Sequence, residues 1–508
     1  MKIERTKNAT RNIIFGVLLK IYQLLGPFIL RTIFIYTLGM QYLGLNSLFT
    51  SILSVLNLAE LGVGSALVFS MYKPIAENDT KKICALMNLY KLYYRIIGLV
   101  ILIIGLILVP FIPNLISGSV PKEVNIYVLY IMNLCATVLS YWLFAYKTCL
   151  FGAHQRNDVT SKVMMISSTL QYIVQAVLLV IIPNYYLYLI ITIATQIFNN
   201  LYAAYKCNKM YPDYNARGKL SKAEVKVING KVKDLFTAKL GGVVVDSADT
   251  IVISMFLGLT TLAIYNNYFY IMSSIFGFIT IIFNSCTAGV GNSLIVESED
   301  KNYNDLKKFL YIICWIASVC TCCLLALYQP FMKMWVGDKS MLSFNLVICI
   351  CIYFFVRNMN TLINMYKDAA GMWHEDKWRP LVVALANLVL NVILVQHIGL
   401  FGILLSTILT MVFIGMPWLI YNLFTVIFKR SAFEFTIKML MYTVLVCVMC
   451  VITYIVCSQI TLSGITGFVV KGIVVFGIAN ILFVLATFFT SEYRQTKELI
   501  LKIMKRKF

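Results

Sequence analysis

Charged side chains that interrupt long apolar stretches are the residues of this sequence whose types could do chemistry. A charge at the centre of a bilayer costs about 3 kcal/mol on insertion scales, so each one is a functional hypothesis. The basic candidates suit an anionic ligand, because arginine binds phosphate with a bidentate fork; they are Lys20, Arg31, Lys239 and Arg357. The acidic candidates suit coupling to H+ or Na+; they are Glu60, Asp246 and Asp249.

Several of these charges also have a structural explanation. Lys20 lies close enough to a helix end for its long side chain to reach the membrane surface. Asp246 could neutralise Lys239 on the same helix, or pair with a residue of another helix. Arg31 lies in mid-stretch with no acidic residue nearby on its own helix, which favours a function.

Asparagines accompany the charges on the same helix faces, at spacings that fit 3.6 residues per turn. Their amides offer donors and acceptors to the hydroxyl groups of a ligand. The structural alternative is that they join helices to one another through hydrogen bonds. The candidates are Asn57, which shares a stripe with Glu60 on a continuous helix, Asn364, which shares one with Arg357, and Asn284.

Motifs for covalent, metal or nucleotide chemistry are missing from the sequence. The three histidines, His154, His374 and His397, lie far apart, and no His, Cys or Asp set has the spacing of metal ligands. No Walker A sequence, dinucleotide fingerprint or nucleophile elbow is present. We therefore expect no metal site, no cofactor and no ATP hydrolysis.

The composition explains why intramembrane charge is the relevant chemistry. Of 508 residues, 60% are hydrophobic and only 13% are charged, about half the share of soluble domains. The mean hydropathy of +0.82 agrees. Too few charges are present to cover the surfaces of several soluble domains, so the composition excludes a soluble multidomain enzyme, a disordered chain and a secreted disulfide scaffold.

The sequence predicts an all-α, polytopic membrane protein, because a spanning helix needs about 20 mostly apolar residues. About fourteen stretches qualify: 13–37, 44–71, 87–111, 124–146, 163–183, 186–205, 236–257, 262–288, 309–329, 342–366, 380–396, 400–424, 439–458 and 466–489.

The basic residues are distributed unevenly between the two sets of loops. Loops on the side of both termini hold 33 Lys and Arg, whereas those on the other side hold three. The positive-inside rule therefore predicts cytoplasmic termini. This bias also accounts for most of the net charge of +21 without a nucleic-acid partner.

The sequence repeats itself at an interval of about 220 residues. Segment 62–67 reads GVGSAL and segment 289–294 reads GVGNSL. A Tyr-Lys-x6-His pattern occurs at 146–154 and again at 366–374. The repeat unit holds six predicted spans, so both copies start from the same side of the membrane. Parallel repeats imply two six-helix lobes related by a pseudo-two-fold axis along the membrane normal, with a cleft between them.

The repeat divides the chain into four predicted parts. These are a first lobe at 1–205, a basic cytoplasmic linker at 206–235, a second lobe at 236–424, and two extra helices with a basic tail at 425–508. The linker could be an amphipathic surface segment, but we expect a solvated connection that also reinforces the topology. Two lobes around a cleft are typical of transporters that work by alternating access.

The stretch 38–82 resembles the Wzx-type polysaccharide flippases. The resemblance lies in Leu38-Gly39, in the ELGVG sequence of 60–64 and in the DTKK sequence of 79–82. The sequence DTIVI at 249–253, which leads to Leu257-Gly258, is similar to the same family. These flippases belong to the multidrug/oligosaccharidyl-lipid/polysaccharide exporter superfamily.

The resemblance implies that the substrate is an undecaprenyl-diphosphate-linked oligosaccharide, moved from the cytoplasmic to the outer face for surface polysaccharides such as capsule or O-antigen. It implies a bacterial cytoplasmic membrane, with membrane lipids and the polymerase and glycosyltransferases of the pathway as partners. The basic candidates would then bind the diphosphate and the asparagines the sugars.

Two other functions stay open at this stage. A multidrug-type exporter of small cations shares the fold, but its cleft should be acidic, and the predicted spans hold seven basic and three acidic residues. A membrane polysaccharide polymerase or ligase is an enzyme that needs charged residues in sizeable outer loops. The predicted outer loops are short and contain few charges.

Overall fold

The structure is a computed structural model that describes residues 5–505. Within that range the side chains at 5–10, 12–14, 17, 234, 235, 237–239, 246, 500 and 502–505 are outside the description. The described residues form helices and connecting turns, with no strand among them. This confirms the predicted all-α fold.

The chain divides into two compact units, Met1–Ala263 and Ile264–Phe508. The helices that begin in unit 1 are α1 (Arg5–Thr37), α2 (Met40–Leu56), α3 (Val63–Ala76), α4 (Thr80–Leu108), α5 (Ile126–Trp142), α6 (Cys149–Ala153), α7 (Asn157–Ile181), α8 (Tyr185–Met210) and α9 (Lys222–Val296). Short 3-10 turns cover Asn57–Glu60, Val109–Leu115 and Ala145–Thr148. Inside unit 1, α1 packs along α7, and α5 packs against α4 and α8.

In unit 2, α10 packs against α11, α15 and α16, and α12 packs against α13. Helices α13 and α14 are joined by a π-helical turn at Met411–Gly415, and a second π turn follows at Phe424–Phe428. The helices of unit 2 are α10 (Glu299–Val336), α11 (Phe344–Ala369), α12 (Arg379–Ile398), α13 (Leu400–Thr410), α14 (Met416–Leu423), α15 (Phe433–Ser458), α16 (Gly464–Thr487) and α17 (Ser491–Lys505).

Twelve helical segments of the described chain are long and apolar enough to cross a membrane, or thirteen if the bent pair α5 and α6 forms one span. Each of the fourteen predicted stretches overlaps one of these segments. The long segment Leu240–Val296 contains two of the stretches, which meet at Gly258, where φ is 83° and the helix is interrupted. The chain is a multi-pass membrane protein.

The boundaries of several spans follow from polar side chains that cap helix ends. Asn184, in the Pro183-Asn184 turn, accepts hydrogen bonds from the backbone N–H groups of Tyr186 and Leu187. Asp79 accepts one from Lys82 at the start of α4. Such caps satisfy donors that the first turn of a helix leaves without a partner.

The predicted seventh stretch, 236–257, packs within unit 1. The backbone N–H of Ser117 donates to the carbonyl of Ser254 at 2.9 Å, and the Ser254 hydroxyl donates to the carbonyl of Leu115 at 2.7 Å. A Cβ at Gly44 would lie 2.2 Å from the Leu259 carbonyl oxygen, so only glycine allows this approach. The domain boundaries at 205 and 236 stay predictions.

The predicted linker is largely exposed, and several of its residues also contact α4. Glu224 forms an ion pair with Lys82 at 2.7 Å, and the Tyr93 hydroxyl donates to the Asn229 side chain. Asn88 donates to the Gly218 carbonyl at 2.8 Å. Hydrogen bonds from Lys82 and Ser221 lower the pKa of Glu224 to about 2. The linker is therefore docked on α4, because its polar residues find partners there.

Candidate functional site

The second predicted span is broken where its polar residues lie. Helix α2 ends at Leu56, a 3-10 turn covers Asn57–Glu60, and α3 begins at Val63. Gly62 between them has φ 91°, a conformation that glycine adopts without a Cβ penalty. We expected a continuous helix with Asn57 and Glu60 on one stripe, and the break corrects this. Discontinuous helices form many transporter binding sites.

The Glu60 carboxylate is held by two tyrosine hydroxyl groups from neighbouring spans. Tyr94 of α4 donates to Oε1 at 2.6 Å, and Tyr141 of α5 donates to Oε2 at 2.7 Å. The Tyr141 hydroxyl also lies 3.1 Å from Oδ1 of Asn57, and the Tyr90 hydroxyl lies 2.7 Å from that of Tyr94. The donors described for this carboxylate are thus neutral hydroxyl groups.

The broken helix lines a cavity of about 390 Å³, the first pocket. Its wall includes Glu60, Asn57, Ser54, Gly62, Gly64, Ser65 and Val243. The tyrosine rings behind it are rigidly packed, since Tyr94 meets both Tyr90 and Tyr141 edge to face. A carboxylate, an amide and a hydroxyl on one cavity wall can coordinate a proton or a small cation and can hydrogen-bond to a polar ligand.

The repeat of this region forms a second pocket in unit 2, with a volume of about 340 Å³. Gly289 and Ser293 line it at the end of α9, and helix α10 contributes Asp305 and Lys308. The two charged groups form an ion pair with an N–O distance of 2.5 Å. Helix α9 is continuous through Gly289, so this pocket has no helix break like that of α2 and α3.

The other acidic candidates lie in α9. Asp249 is buried, with 7% of its surface exposed. The side chains of Asp246 and of the basic candidate Lys239 lie outside the described residues. Their predicted roles in ion coupling and ligand binding stay predictions.

Arg31 lies in α1 beside a cluster of aromatic side chains. It is near enough to Tyr188 of α8 for an electrostatic interaction, and Phe34 of the next turn meets Tyr185 and Tyr188 edge to face. Lys20 is exposed on the same helix. The aromatic side chains nearest in the description to Arg31 thus pack against one another between α1 and α8.

In unit 2, the guanidinium carbon of Arg357 lies 4.3 Å from the ring centroid of Phe276, a cation–π contact. Asn364 on the same helix accepts a hydrogen bond from Arg379 at 3.2 Å, which gives it a structural task as well. Asn284 is exposed in α9. Among the candidates whose side chains the structure describes, Asn57 and Glu60 line one cavity together in unit 1, and the others are not among its lining residues.

The tyrosines that hold Glu60 were missed in the sequence. Tyr90 and Tyr94 are four residues apart and so share a helix face, which is a weak signal. Tyr141 gives no signal of its own, because a tyrosine in an apolar stretch reads as packing. Among the described residues, no group of three or more His, Cys, Asp or Glu side chains could hold a metal ion.

A scan against protein-family models and a search of curated proteins gave no match. Solved structures do match. The lipid II flippase MurJ, in an inward closed conformation, superposes with a TM-score of 0.67 at 14% identity, covering 94% of this chain and 98% of its own. An inward-facing multidrug resistance MATE family transporter of the MOP superfamily gives 0.63 at 12% identity, covering 82% and 99%.

A MOP superfamily transporter from Pyrococcus furiosus gives a TM-score of 0.55 at 13% identity, covering 84% of this chain and 97% of its own. The chain has the fold of the MOP superfamily transporters. The likeness to MurJ runs along nearly the whole chain, whereas the MATE proteins leave about a sixth of it uncovered. The segment 425–508, the two predicted extra helices and the tail, also makes up about a sixth of the chain.

Proposed function

We propose that this chain is a flippase that moves a polyprenyl-diphosphate-linked oligosaccharide from the cytoplasmic to the outer face of a bacterial cytoplasmic membrane by alternating access. The observation that carries the proposal is the full-length likeness to the lipid II flippase, at 94% of this chain and 98% of that one. Lipid II flippase is the name of that protein; a repeat unit for surface polysaccharide is the substrate we propose here, in line with the Wzx-type resemblance.

The charges of the spans suit such a substrate. A diphosphate cannot enter hydrocarbon without compensating groups, and Arg31 and Arg357 lie within helices long enough to cross a membrane. The guanidinium of Arg357 lies over the ring of Phe276, and Arg31 is near enough to Tyr188 for an electrostatic interaction. A potential that is negative inside favours the outward movement of a negative group by about 2.3 kcal/mol per charge per 100 mV.

Glu60 is the carboxylate that we propose for coupling to H+ or Na+. It lines the first pocket at a broken helix, and the described contacts to its oxygens come from tyrosine hydroxyls. A carboxylate neutralised by a fixed cation would have little reason to exchange a proton or a sodium ion. The donors described for Glu60 are neutral hydroxyl groups, so ion binding there can alter the balance between conformations.

The small-molecule exporter is the second candidate, because MATE transporters share the fold. The size of the region that they leave uncovered and the excess of basic over acidic residues in the spans favour the flippase. A polymerase or ligase is less well supported, since the matched structures named above are a flippase and transporters. Glycosyltransferases and a polymerase are proposed as partners in the same pathway.

The test is the lipid-linked glycan pool of a host that carries the pathway but lacks this protein. Membranes would be extracted, polyprenyl-diphosphate oligosaccharides identified by mass spectrometry, and their sidedness measured with an impermeant glycan label. We expect single repeat units on the cytoplasmic face, released by the wild-type protein but not by Arg31→Ala. Lys471→Ala is the matched control, because it removes a basic residue from α16 near a helix end.

Each other outcome points elsewhere. Unpolymerised units already on the outer face would overturn the flippase and indicate the enzyme. An unchanged pool would remove glycan lipids from consideration and favour the small-molecule exporter. Full transport by Arg31→Ala, at normal membrane level, would overturn the role of Arg31 alone.

A further inference from the structure

A buried aspartate gathers three cations where α1 and α7 begin. Asp158 has no exposed surface, and its carboxylate contacts Arg11 at 2.8 Å, Arg156 at 2.8 Å and Lys162 at 3.7 Å. These four residues are the unit 1 ion cluster. They come from three segments of the chain. Arg11 lies in α1, Arg156 lies in the turn before α7, and Asp158 and Lys162 lie in α7.

Unit 2 has a counterpart, which includes residues within and just after the second copy of the Tyr-Lys-x6-His pattern. Arg379 donates to both oxygens of Asp376, at 2.5 and 2.7 Å. Lys367 lies 3.6 Å from Asp376 and 2.9 Å from Asp368. These four residues, Lys367, Asp368, Asp376 and Arg379, are the unit 2 ion cluster.

The two clusters differ in charge. The unit 2 ion cluster has two cations and two carboxylates and is neutral. Among the described side chains, the unit 1 ion cluster has three cations and one carboxylate, a surplus of two positive charges. A repeat-related site can therefore fold around a buried aspartate without such a surplus, and the surplus in unit 1 needs a separate reason.

The surplus charge is accessible and oriented. The side chains of Arg11, Arg156 and Lys162 are 34%, 23% and 42% exposed, whereas those of Lys367 and Arg379 are both 10% exposed. Lys162 also lies 4.1 Å above the ring of Phe15, which limits its movement. The hydrogen bond to Asp158 raises the pKa of Arg156, so the guanidinium stays charged.

The position suits a headgroup. All three cations flank the first turn of α7, a helix long enough to span, on the side that the charge bias predicts to be cytoplasmic. The N-terminus of a helix adds a partial positive charge of its own. Cations at the end of a span lie at the depth of lipid phosphates, where a phosphate can accept hydrogen bonds from arginine.

We propose that the unit 1 ion cluster binds the phosphate of an anionic lipid headgroup, with Asp158 as a positioning residue that holds the cations in place. The shared chemistry is a phosphate ester attached to a lipid chain. Two lipids carry it, an anionic phospholipid and a polyprenyl diphosphate. Binding does not depend on transport, so the inference stands or falls separately from the proposed function.

The experiment is native mass spectrometry of the full-length protein, purified in detergent and exposed to one lipid at a time. The probes are phosphatidylcholine, phosphatidylglycerol and undecaprenyl diphosphate. We expect the wild type to retain at least one of the two anionic lipids in preference to phosphatidylcholine. Arg11→Gln and Lys162→Gln should each lower that retention by about tenfold, the effect of one charge-assisted contact.

Matched variants separate charge from structure. Arg11→Lys keeps the charge and should retain the lipid, and Lys301→Gln removes an exposed lysine that pairs with Glu297 elsewhere. Thermal unfolding of every variant checks that the fold is intact. Retention of undecaprenyl diphosphate alone would identify the polyprenyl lipid as the ligand, and retention of phosphatidylglycerol as well would identify anionic lipids in general.

Two results would overturn the proposal. One is equal retention of phosphatidylcholine and both anionic lipids by the wild type. The other is unchanged anionic-lipid retention in folded Arg11→Gln and Lys162→Gln proteins. Loss of retention in Arg11→Lys to the same degree as in Arg11→Gln would also count against it, because shape rather than charge would then decide.

Discussion

The first and second pockets are each lined by one copy of the repeated small-residue segment, yet the acidic groups beside them have different partners. In the first, Glu60 is held by the hydroxyls of Tyr94 and Tyr141 beside a broken helix. In the second, Asp305 is paired with Lys308 beside an unbroken one. The tyrosine hydroxyls add no positive charge to offset that of the Glu60 carboxylate. Lys308 already offsets the charge of Asp305.

The comparison shows how a repeat can keep a scaffold and change its chemistry. Segments 62–67 and 289–294 both supply small residues that line a pocket. The chemistry is set by residues outside those segments, on α4 and α5 in one unit and on α10 in the other. We propose ion exchange for the first pocket and a structural role for the second, and the following variants test that difference.

The largest effect is expected from Glu60→Gln. Removing the charge that an ion would neutralise should slow glycan transport by about 10- to 100-fold, the range of typical coupling energies. The matched change in the second pocket, Asp305→Asn, should leave most of the transport. The measurement is the rate at which labelled glycan reaches the outer face. Equal losses in the two variants would erase the distinction between the pockets.

Next in size is Tyr141→Phe. The change removes the donor to Glu60 Oε2 and leaves a charged oxygen with one partner fewer, at a cost of about 1.5–3 kcal/mol of unfolding free energy. Tyr366→Phe in the second pocket is the control, because the ring still packs against Phe309 and Phe428. Denaturation in detergent measures both. A larger loss of unfolding free energy for Tyr366→Phe would contradict the role of Tyr141 in holding Glu60.

The glycines allow a smaller, cleaner comparison. Gly62→Ala should cost about 1–2 kcal/mol of unfolding free energy, because alanine is strained at φ 91°. Gly289→Ala should add about 0.5–1 kcal/mol, because this glycine is helical and a Cβ there meets nothing within 4 Å. The same denaturation experiment measures the change in unfolding free energy of both variants, which should be a decrease for Gly62→Ala and an increase for Gly289→Ala. A stabilised Gly62→Ala protein would mean that the helix break is not required.

The smallest effect concerns pH and the histidines of the repeated motif. Burial lowers the pKa of His154 from its usual 6.5, so the folded protein disfavours its protonated form. Stability should therefore fall as pH drops below about 6.5 and continue to fall until His154 is protonated in the folded state. His154→Phe should flatten the slope of stability against pH. His374→Gln, at the exposed counterpart, should leave that slope unchanged. Melting temperatures at a series of pH values measure the slope, and an unchanged slope in His154→Phe would refute the assignment.

The spans were predictable from the sequence because apolar runs of the right length dictate helices in a bilayer. The proximity of Asn57 and Glu60 was predictable too, since neighbours in sequence stay neighbours in space. The helix break was not predicted, although Gly62 permits it, because an apolar stretch with a helical stripe favours an unbroken helix.

The contacts that complete the site depend on distant parts of the chain. Tyr94 and Tyr141 reach Glu60 from two other helices, and Arg11 meets Asp158 across 147 residues of sequence. Periodicity describes one helix at a time and says nothing about which helices meet. The docking of the linker on α4 was missed for the same reason, since its lysines read as solvated charge.

The packing of residues 254–259 within unit 1 has a consequence for how the protein is made. A ribosome that has finished the first six predicted spans has not yet supplied the hydrogen-bond partners of Leu115 and Ser117. The Ser254 hydroxyl reaches Leu115 only after 139 further residues. Until then the insertion machinery or water has to satisfy those backbone groups, because hydrocarbon cannot. The maturation of unit 1 is thereby timed by the synthesis of a helix that the repeat assigns to the other lobe.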